Sequence, residues 1–220
     1  MNANVCFFHT VASLADRFEE LATEYVPEAD HFHIVDESVL NDALEASELT
    51  PEISRRICSQ LVLAEDAGAD LILDTCSSTS PAVDIARQIV DVPILKIDDP
   101  MTETAVERGD HITVLATAAS TLDPSTDLVR RKANQQGTSV TIRSELIEGA
   151  LDAREHGKQD EHDQKITDRT LELADETDVI MLAQASMSHL APDLSKRVSV
   201  PVLSSPDMAM EAVAFTLENR

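Results

Sequence analysis

The 220-residue chain has no tryptophan, one tyrosine and only five glycines. A core must therefore come from aliphatic side chains, and the length allows one large or two small domains. With so little glycine there is no Gly/Ser linker, and neither a G-x-G-x-x-G nor a Walker sequence occurs, which argues against nucleotide binding. Three cysteines without paired spacing or a nearby histidine cluster argue against a disulfide framework and a cysteine-based structural zinc site, and imply free thiols in a reducing compartment. No run of eighteen apolar residues and no basic, apolar leader is present, so neither membrane insertion nor secretion is expected and the cytoplasm is the expected location.

Positive charge is also scarce. Seventeen Lys and Arg face 41 Asp and Glu, for a formal net charge of -24, and only five of the seventeen are lysine. Nucleic acid would be repelled. The acid is spread along the chain, densest at "KQDEHDQ", so a disordered acidic tail does not account for it. An acidic, lysine-poor surface of this kind suits high salt, where screening removes the self-repulsion that opposes compaction, and a halophilic source is expected.

Short β-rich apolar runs alternate with segments of helical period, the pattern of an α/β protein with parallel strands. The expected strands are "NVCFF", "HFHIV", "ADLIL", "VPILK", "HITVL", "TSVTI", "DVIML" and "VPVLS". Val11, Leu14, Ala15, Phe18, Leu21, Ala22 and Tyr25 recur at helical steps. A second helix is expected over 52–67, stopping at Gly68, and a third over 124–137 with Asp123 as N-cap and Gly137 as stop.

The chain also resembles itself. "DLILDTCSST" from Asp70 aligns with "DVIMLAQASM" from Asp178, and "VPIL" from Val92 with "VPVL" from Val200, both at an offset of 108; "HTVASL" from His9 aligns with "ATAAST" from Ala116 at 107. Two copies of one α/β half are implied, related by a pseudo-twofold axis. In open parallel sheets ligands bind beyond the carboxyl ends of strands, so the expected active site is a cleft between the halves. The loops "HTVAS", "TCSSTS", "ATAAST" and "AQASMS" would line it. Their small, hydroxylated residues suit a small carboxylate held by hydroxyls and helix N-termini.

Cys76 follows a strand and precedes a helix expected near Pro81, a position where N–H groups and the helix dipole favour a thiolate. Packing in a turn would equally explain a small half-buried thiol. Ser77, Ser78, Thr79 and Ser80 can donate to a substrate carboxylate or a developing enolate. The repeat sets Cys76 against Gln184. Two thiols so placed could take a proton from one face of a carbon acid and return one to the other, but an amide does not titrate, so Gln184 can only orient or polarise. His9, at the end of the first strand, is a candidate substitute base, or a hydrogen-bonded loop residue.

On "FFHT", "DTCSS", "VLATAAST" and "DVIMLAQASM" the sequence resembles the aspartate/glutamate/hydantoin racemase superfamily over nearly its whole length. The resemblance implies two like domains, an active site between them, no pyridoxal phosphate or other cofactor, and a possible homodimer. It makes Cys76 the first catalytic cysteine, matches Ser77, Ser78, Thr117, Ser120 and Thr121 to positions that hold substrate carboxyl groups, and matches Ala185 and Ser186 to the loop after the second cysteine; Thr10 and Thr79, in the same strand-end loops, are also expected to bind substrate. Gln184 stands where the second cysteine is expected, a departure that weakens two-base racemisation and leaves the fold untouched. The first half is expected over 1–99, joined by a C-terminal helix over 206–220, and the second over 100–205.

Other residues are read as structural. Cys6 and Cys58 are expected to pack as small hydrophobes, and Met181, Met187, Met208 and Met210 to fill gaps. His31 and His33 project from one strand face, a metal pair without a third ligand at a supporting spacing, hence solvent- or core-facing. Asp98 and Asp99 are expected to cap the next helix. His156 and His162 fall on a solvated acidic face. The reading is a cytoplasmic, cofactor-independent racemase- or isomerase-like enzyme that uses Cys76 on a small carboxylate such as an amino acid or hydantoin. The alternatives are a one-cysteine decarboxylase or cis-trans isomerase of the same superfamily, and a two-lobed carboxylate-binding protein without turnover.

Overall fold

The computed structural model describes residues 2–220. These residues divide into two compact units, one running up to Ile97 and including Pro206–Arg220, the other Asp98–Ser205.

The first unit holds β1 (Asn4–His9), α1 (Ser13–Tyr25), β2 (Asp30–Val35), α2 (Glu37–Ala46), α3 (Pro51–Asp66), β3 (Leu71–Asp74), α4 (Ser80–Ala86) and β4 (Ile94–Lys96). Its four strands are all parallel, in the order β2-β1-β3-β4. Every residue of β3 is buried, as is all of β1 after Asn4, as expected of central strands covered on both faces. Edge strand β2 is only partly buried and alternates histidine with apolar residues.

α3 shows how sequence sets these boundaries. The Thr50 side chain accepts from the Ile53 N–H at 3.3 Å, Pro51 opens the helix, and Gly68 takes a left-handed φ of 93° just beyond it. Ile53, Ile57, Leu61 and Ala64 form the buried stripe, joined by Cys58. Fully burying Leu61 is worth about 2–3 kcal/mol in transfer free energy.

The second unit repeats the plan with α5 (Asp99–Arg108), β5 (His111–Ala116), α6 (Ala119–Gln136), β6 (Thr141–Leu146), α7 (Ala150–Glu155), α8 (Gln159–Leu173), β7 (Val179–Leu182), α9 (Ala191–Arg197) and β8 (Val202–Ser204). Its parallel order, β6-β5-β7-β8, matches the first sheet strand for strand. Even the strand entries are pinned alike. Asp70 accepts from the Asn4 N–H at 2.9 Å, and Asp178 from the N–H groups of Asp110 and His111 at 3.0 and 2.8 Å. Those backbone bonds are the leading reason both carboxyls sit below the usual range. α10 (Ser205–Glu218) then returns to the first unit, where Tyr25 donates to Asp207 at 3.3 Å and Arg220 pairs with Asp70 at 3.1 Å.

Two expected boundaries differ. α6 begins at Ala119, five residues before Pro124, which lies inside it, so Asp123 is no N-cap. Gly137 does stop the helix, at φ 70°. The Thr138 N–H then bonds back to Ala133 at 3.0 Å, so the strand expected from Thr138 starts only at Thr141. Cys6 and Cys58 are buried as expected, and burial pushes the Cys6 thiol up to about 12. Met181, Met187 and Met210 are buried too.

Candidate functional site

In each unit the candidate residues gather at the carboxyl ends of the two central strands. The first set comprises His9 and Thr10 after β1 with Cys76, Ser77, Ser78 and Thr79 after β3; the second comprises Thr117, Ser120 and Thr121 after β5 with Gln184, Ala185 and Ser186 after β7. The two loops are anchored alike, by Thr75 N–H to the Phe8 carbonyl at 3.0 Å and by Ala183 N–H to the Leu115 carbonyl at 2.9 Å. Cys76 and Gln184 share an extended backbone, with φ/ψ of -126°/116° and -135°/133°, and each opens a 3-10 turn. The turns close through Thr79 N–H to the Cys76 carbonyl at 3.1 Å and Met187 N–H to the Gln184 carbonyl at 2.9 Å.

Cys76 is half-buried. Its thiol is pushed up, first by desolvation and then by the negative charge of Asp74, a fully buried carboxylate two residues earlier on the strand. The Thr10 side chain and the N–H groups of Ser78 and Thr79 oppose the rise by favouring the thiolate. The sequence placement suggested a net preference for thiolate. A three-residue 3-10 turn aims only two N–H groups at the sulfur, too few to offset the burial and the adjacent carboxylate.

The surrounding hydroxyls divide into used and unused. Thr79 Oγ1 lies 2.8 Å from both Asp74 carboxylate oxygens and 2.7 Å from the Cys76 carbonyl, so its proton is committed within the loop. Apart from the Cys76 sulfur, Thr10 Oγ1 has no partner; Ser80 Oγ and, in the second unit, Ser120 Oγ also have none among the described residues. Thr121 is buried, with its N–H bonded to Ala118 at 3.1 Å, while Ala185 and Ser186 are half-buried.

Gln184 is fixed by its carbonyl end. Oε1 accepts from the Thr117 N–H at 2.5 Å, the Thr117 hydroxyl at 2.9 Å and the Ala118 N–H at 3.3 Å. With the carbonyl held by these donors, the amide nitrogen is left as a hydrogen-bond donor of fixed direction.

His9 is fully buried with both ring nitrogens engaged. Thr75 Oγ1 gives its one proton to the Phe8 carbonyl at 2.9 Å and so accepts from His9 Nδ1–H at 2.8 Å. His9 Nε2 is then the acceptor for His33 Nδ1–H, also at 2.8 Å. Burial, followed by repulsion from His33, holds His9 down at about 3. His33, on β2, reaches in turn to Glu19 of α1, as does His31. Sequence spacing gave no sign of Glu19, because tertiary packing of α1 against the strand brings it there.

Two further expectations change. His162 is fully buried at the head of the α8 stripe of Ile166, Thr170 and Leu173, with Nδ1 2.8 Å from Asp163, and so does not belong to a solvated face. Asp98 occupies the N-cap position of α5 in a helical conformation, φ -91° and ψ -10°, which makes no side-chain cap bond; Asp99 pairs with Lys132 at 3.3 Å. A shallow concavity of about 600 Å³ in the second unit, bordered by Arg108, Gly109, Asp178 and Pro201, lies at the amino ends of the strands, away from these loops.

With this geometry, the match of the Asp/Glu/hydantoin racemase family model to residues 2–213 becomes decisive. The chain belongs to that family. Several solved racemase structures share its fold. Allantoin racemase from Klebsiella pneumoniae superposes with a TM-score of 0.72 at 16% identity, covering 99% of this chain and 88% of that one. Glutamate racemase from Francisella tularensis in complex with D-glutamate gives 0.74 at 12%, covering 99% and 82%. Aspartate racemase from Picrophilus torridus gives 0.72 at 15%, covering 99% and 94%. Comparison with curated protein sequences found no match. Among the described residues of this racemase-family chain, no helix is long and apolar enough to cross a membrane.

Proposed function

We propose that the protein is a cofactor-independent enzyme of racemase or isomerase type, acting on a small carboxylate with Cys76 as its one proton-transferring side chain. The observation that supports this reading is the unlike pair at equivalent backbone positions: a thiol with a thiolate-stabilising hydroxyl and two N–H groups at 76, and a clamped amide at 184. Thr10, Ser77, Ser78, Ser120, Thr121, Ala185 and Ser186 are assigned to substrate binding through hydroxyl and N–H donors, while Thr79 and Thr117, whose donors are committed to the Cys76 loop and to Gln184, shape the walls of the binding loops. Gln184 polarises or orients the substrate, and His9, engaged at both nitrogens, anchors Thr75, the residue before Cys76.

The Cys76 sulfur gives its proton to a substrate carbanion or enediolate, forming the carbon–hydrogen bond and leaving a thiolate held by Thr10, Ser78 and Thr79. Solvent, to which the half-buried residue has access, returns the proton. In reverse the thiolate takes the proton from carbon to generate that enediolate, and inversion of the centre then draws its proton from solvent on the opposite face, since Gln184 does not titrate. The raised thiol favours a second reading within the same superfamily, because a cysteine protonated at rest is suited to donation first. Decarboxylation of a malonate is such a reaction: the carbon–carbon bond breaks, carbon dioxide leaves, and Cys76 protonates the remaining enediolate. The acidic surface supports a salt-rich cytoplasm as the working environment.

The test is incubation in D2O at molar KCl with amino acids, hydantoins, malonates and maleate, followed by mass and chirality. Wild type is expected to place deuterium on the substrate carbon, and Cys76→Ala to lose about 10²–10⁴-fold of the rate. Ligand binding with no exchange in either form would identify a binding protein. Full turnover by Cys76→Ala would overturn the assignment of the thiol. Racemisation gained by Gln184→Cys and lacking in wild type would favour the one-sided reactions.

A further inference from the structure

We propose that Glu19, His31 and His33 form a binding site for a divalent transition-metal ion of the zinc type. The three side chains offer one ligand atom each, all within 4.8 Å of one another. Glu19 Oε2 lies 2.9 Å from His31 Nε2 and 3.2 Å from His33 Nε2. Ligand atoms about 2.0–2.1 Å from a tetrahedral zinc stand roughly 3.3 Å apart, so little movement would seat an ion.

The rings are already held in place. His31 and His33 share one face of β2, and the Phe7 ring packs against both, at centroid distances of 5.9 and 5.3 Å. His33 also has the outer partner that metal-bound histidines commonly have. Its Nδ1–H donates to His9 Nε2, and His9 is fixed by Thr75 in turn. That arrangement reserves the lone pair of His33 Nε2 for the side facing Glu19.

Two imidazoles with one carboxylate select zinc, cobalt or nickel over magnesium or calcium, which prefer all-oxygen sets. The Glu19 side chain is 61% exposed, which leaves room for water at a fourth position. A bound ion would tie α1 to edge strand β2. Through His33, His9 and Thr75 it would also support the loop that carries Cys76, although the site does not depend on the proposed reaction.

The experiment uses tag-free, chelator-stripped protein in molar KCl with millimolar Mg²⁺ to occupy diffuse carboxylates. Cobalt is titrated in and followed by its visible d–d bands, then displaced with zinc. One equivalent per chain is expected, with Glu19→Gln and His31→Ala each weakening binding at least tenfold. His189→Ala, at the separate cluster of His162, Asp163 and His189, should leave it unchanged. Circular dichroism checks the folding of each variant, and exposed Glu19→Gln carries the test if His31→Ala does not fold. Absence of a saturable equivalent, equal binding by the Glu19→Gln variant, or loss of the signal in His189→Ala would overturn the site.

Discussion

Replacing Gln184 by alanine removes the one acceptor shared by the Thr117 N–H, the Thr117 hydroxyl and the Ala118 N–H. Each such bond contributes a net 0.5–1.5 kcal/mol, and burial makes an unreplaced donor costlier, while half-buried Gln184 allows water to recover part. The expected loss is about 2–3 kcal/mol for the three together. For a chain of 150–250 residues that corresponds to a fall of about 4–12 °C in Tm. Thermal unfolding by circular dichroism in molar KCl measures it. Hydrogen exchange localises it: the Thr117 and Ala118 amides should exchange about 30–150 times faster. Gln184→Glu keeps the accepting oxygen and should retain the protection. An unchanged Tm with unchanged amide exchange in Gln184→Ala would show that the clamp contributes nothing, and that the amide at 184 is not held in a fixed direction.

Because the Cys76 thiol is raised above its ordinary value, alkylation by iodoacetamide should be slow near pH 8 and still climbing above pH 9; Asp74→Asn, removing the neighbouring charge, should speed it at neutral pH. A plateau below pH 8 in wild type would contradict this. With a net charge of -24, stability should rise as KCl takes the Debye length from about 10 Å at 0.1 M to about 3 Å at 1 M, and urea midpoints measured across that range check it. Gly109→Ala should destabilise the second unit by about 1–3 kcal/mol, because the new Cβ would stand 2.4 Å from Asp178 Cβ; an unchanged unfolding midpoint would mean the strand entry yields freely.

Most of the fold was legible because its signals are local. Buried parallel strands appear as apolar runs with sharp punctuation, and seven of the eight expected strands lie within a few residues of those found. The repeat at 107 and 108 was readable because both copies of the strand-end loops keep the same small residues, which the matching backbone of Cys76 and Gln184 explains. What escaped depends on long-range packing. β6 starts late because Thr138 is consumed in closing α6, a contact no strand propensity reveals. His162 looked solvated from its acidic neighbours, yet helical period puts it on the apolar stripe. Glu19 reaches His31 and His33 across twelve and fourteen residues, and the influence of Asp74 on Cys76 could be recognised only once Asp74 was known to be fully buried.

Pro206–Arg220 belongs to the same unit as the residues up to Ile97. As the polypeptide leaves the ribosome, the second unit emerges whole and uninterrupted, and can fold while the first still lacks Pro206–Arg220. Until α10 arrives, Tyr25 has no Asp207 and Asp70 no Arg220. The half that carries Cys76 is thus begun before the second unit and completed after it.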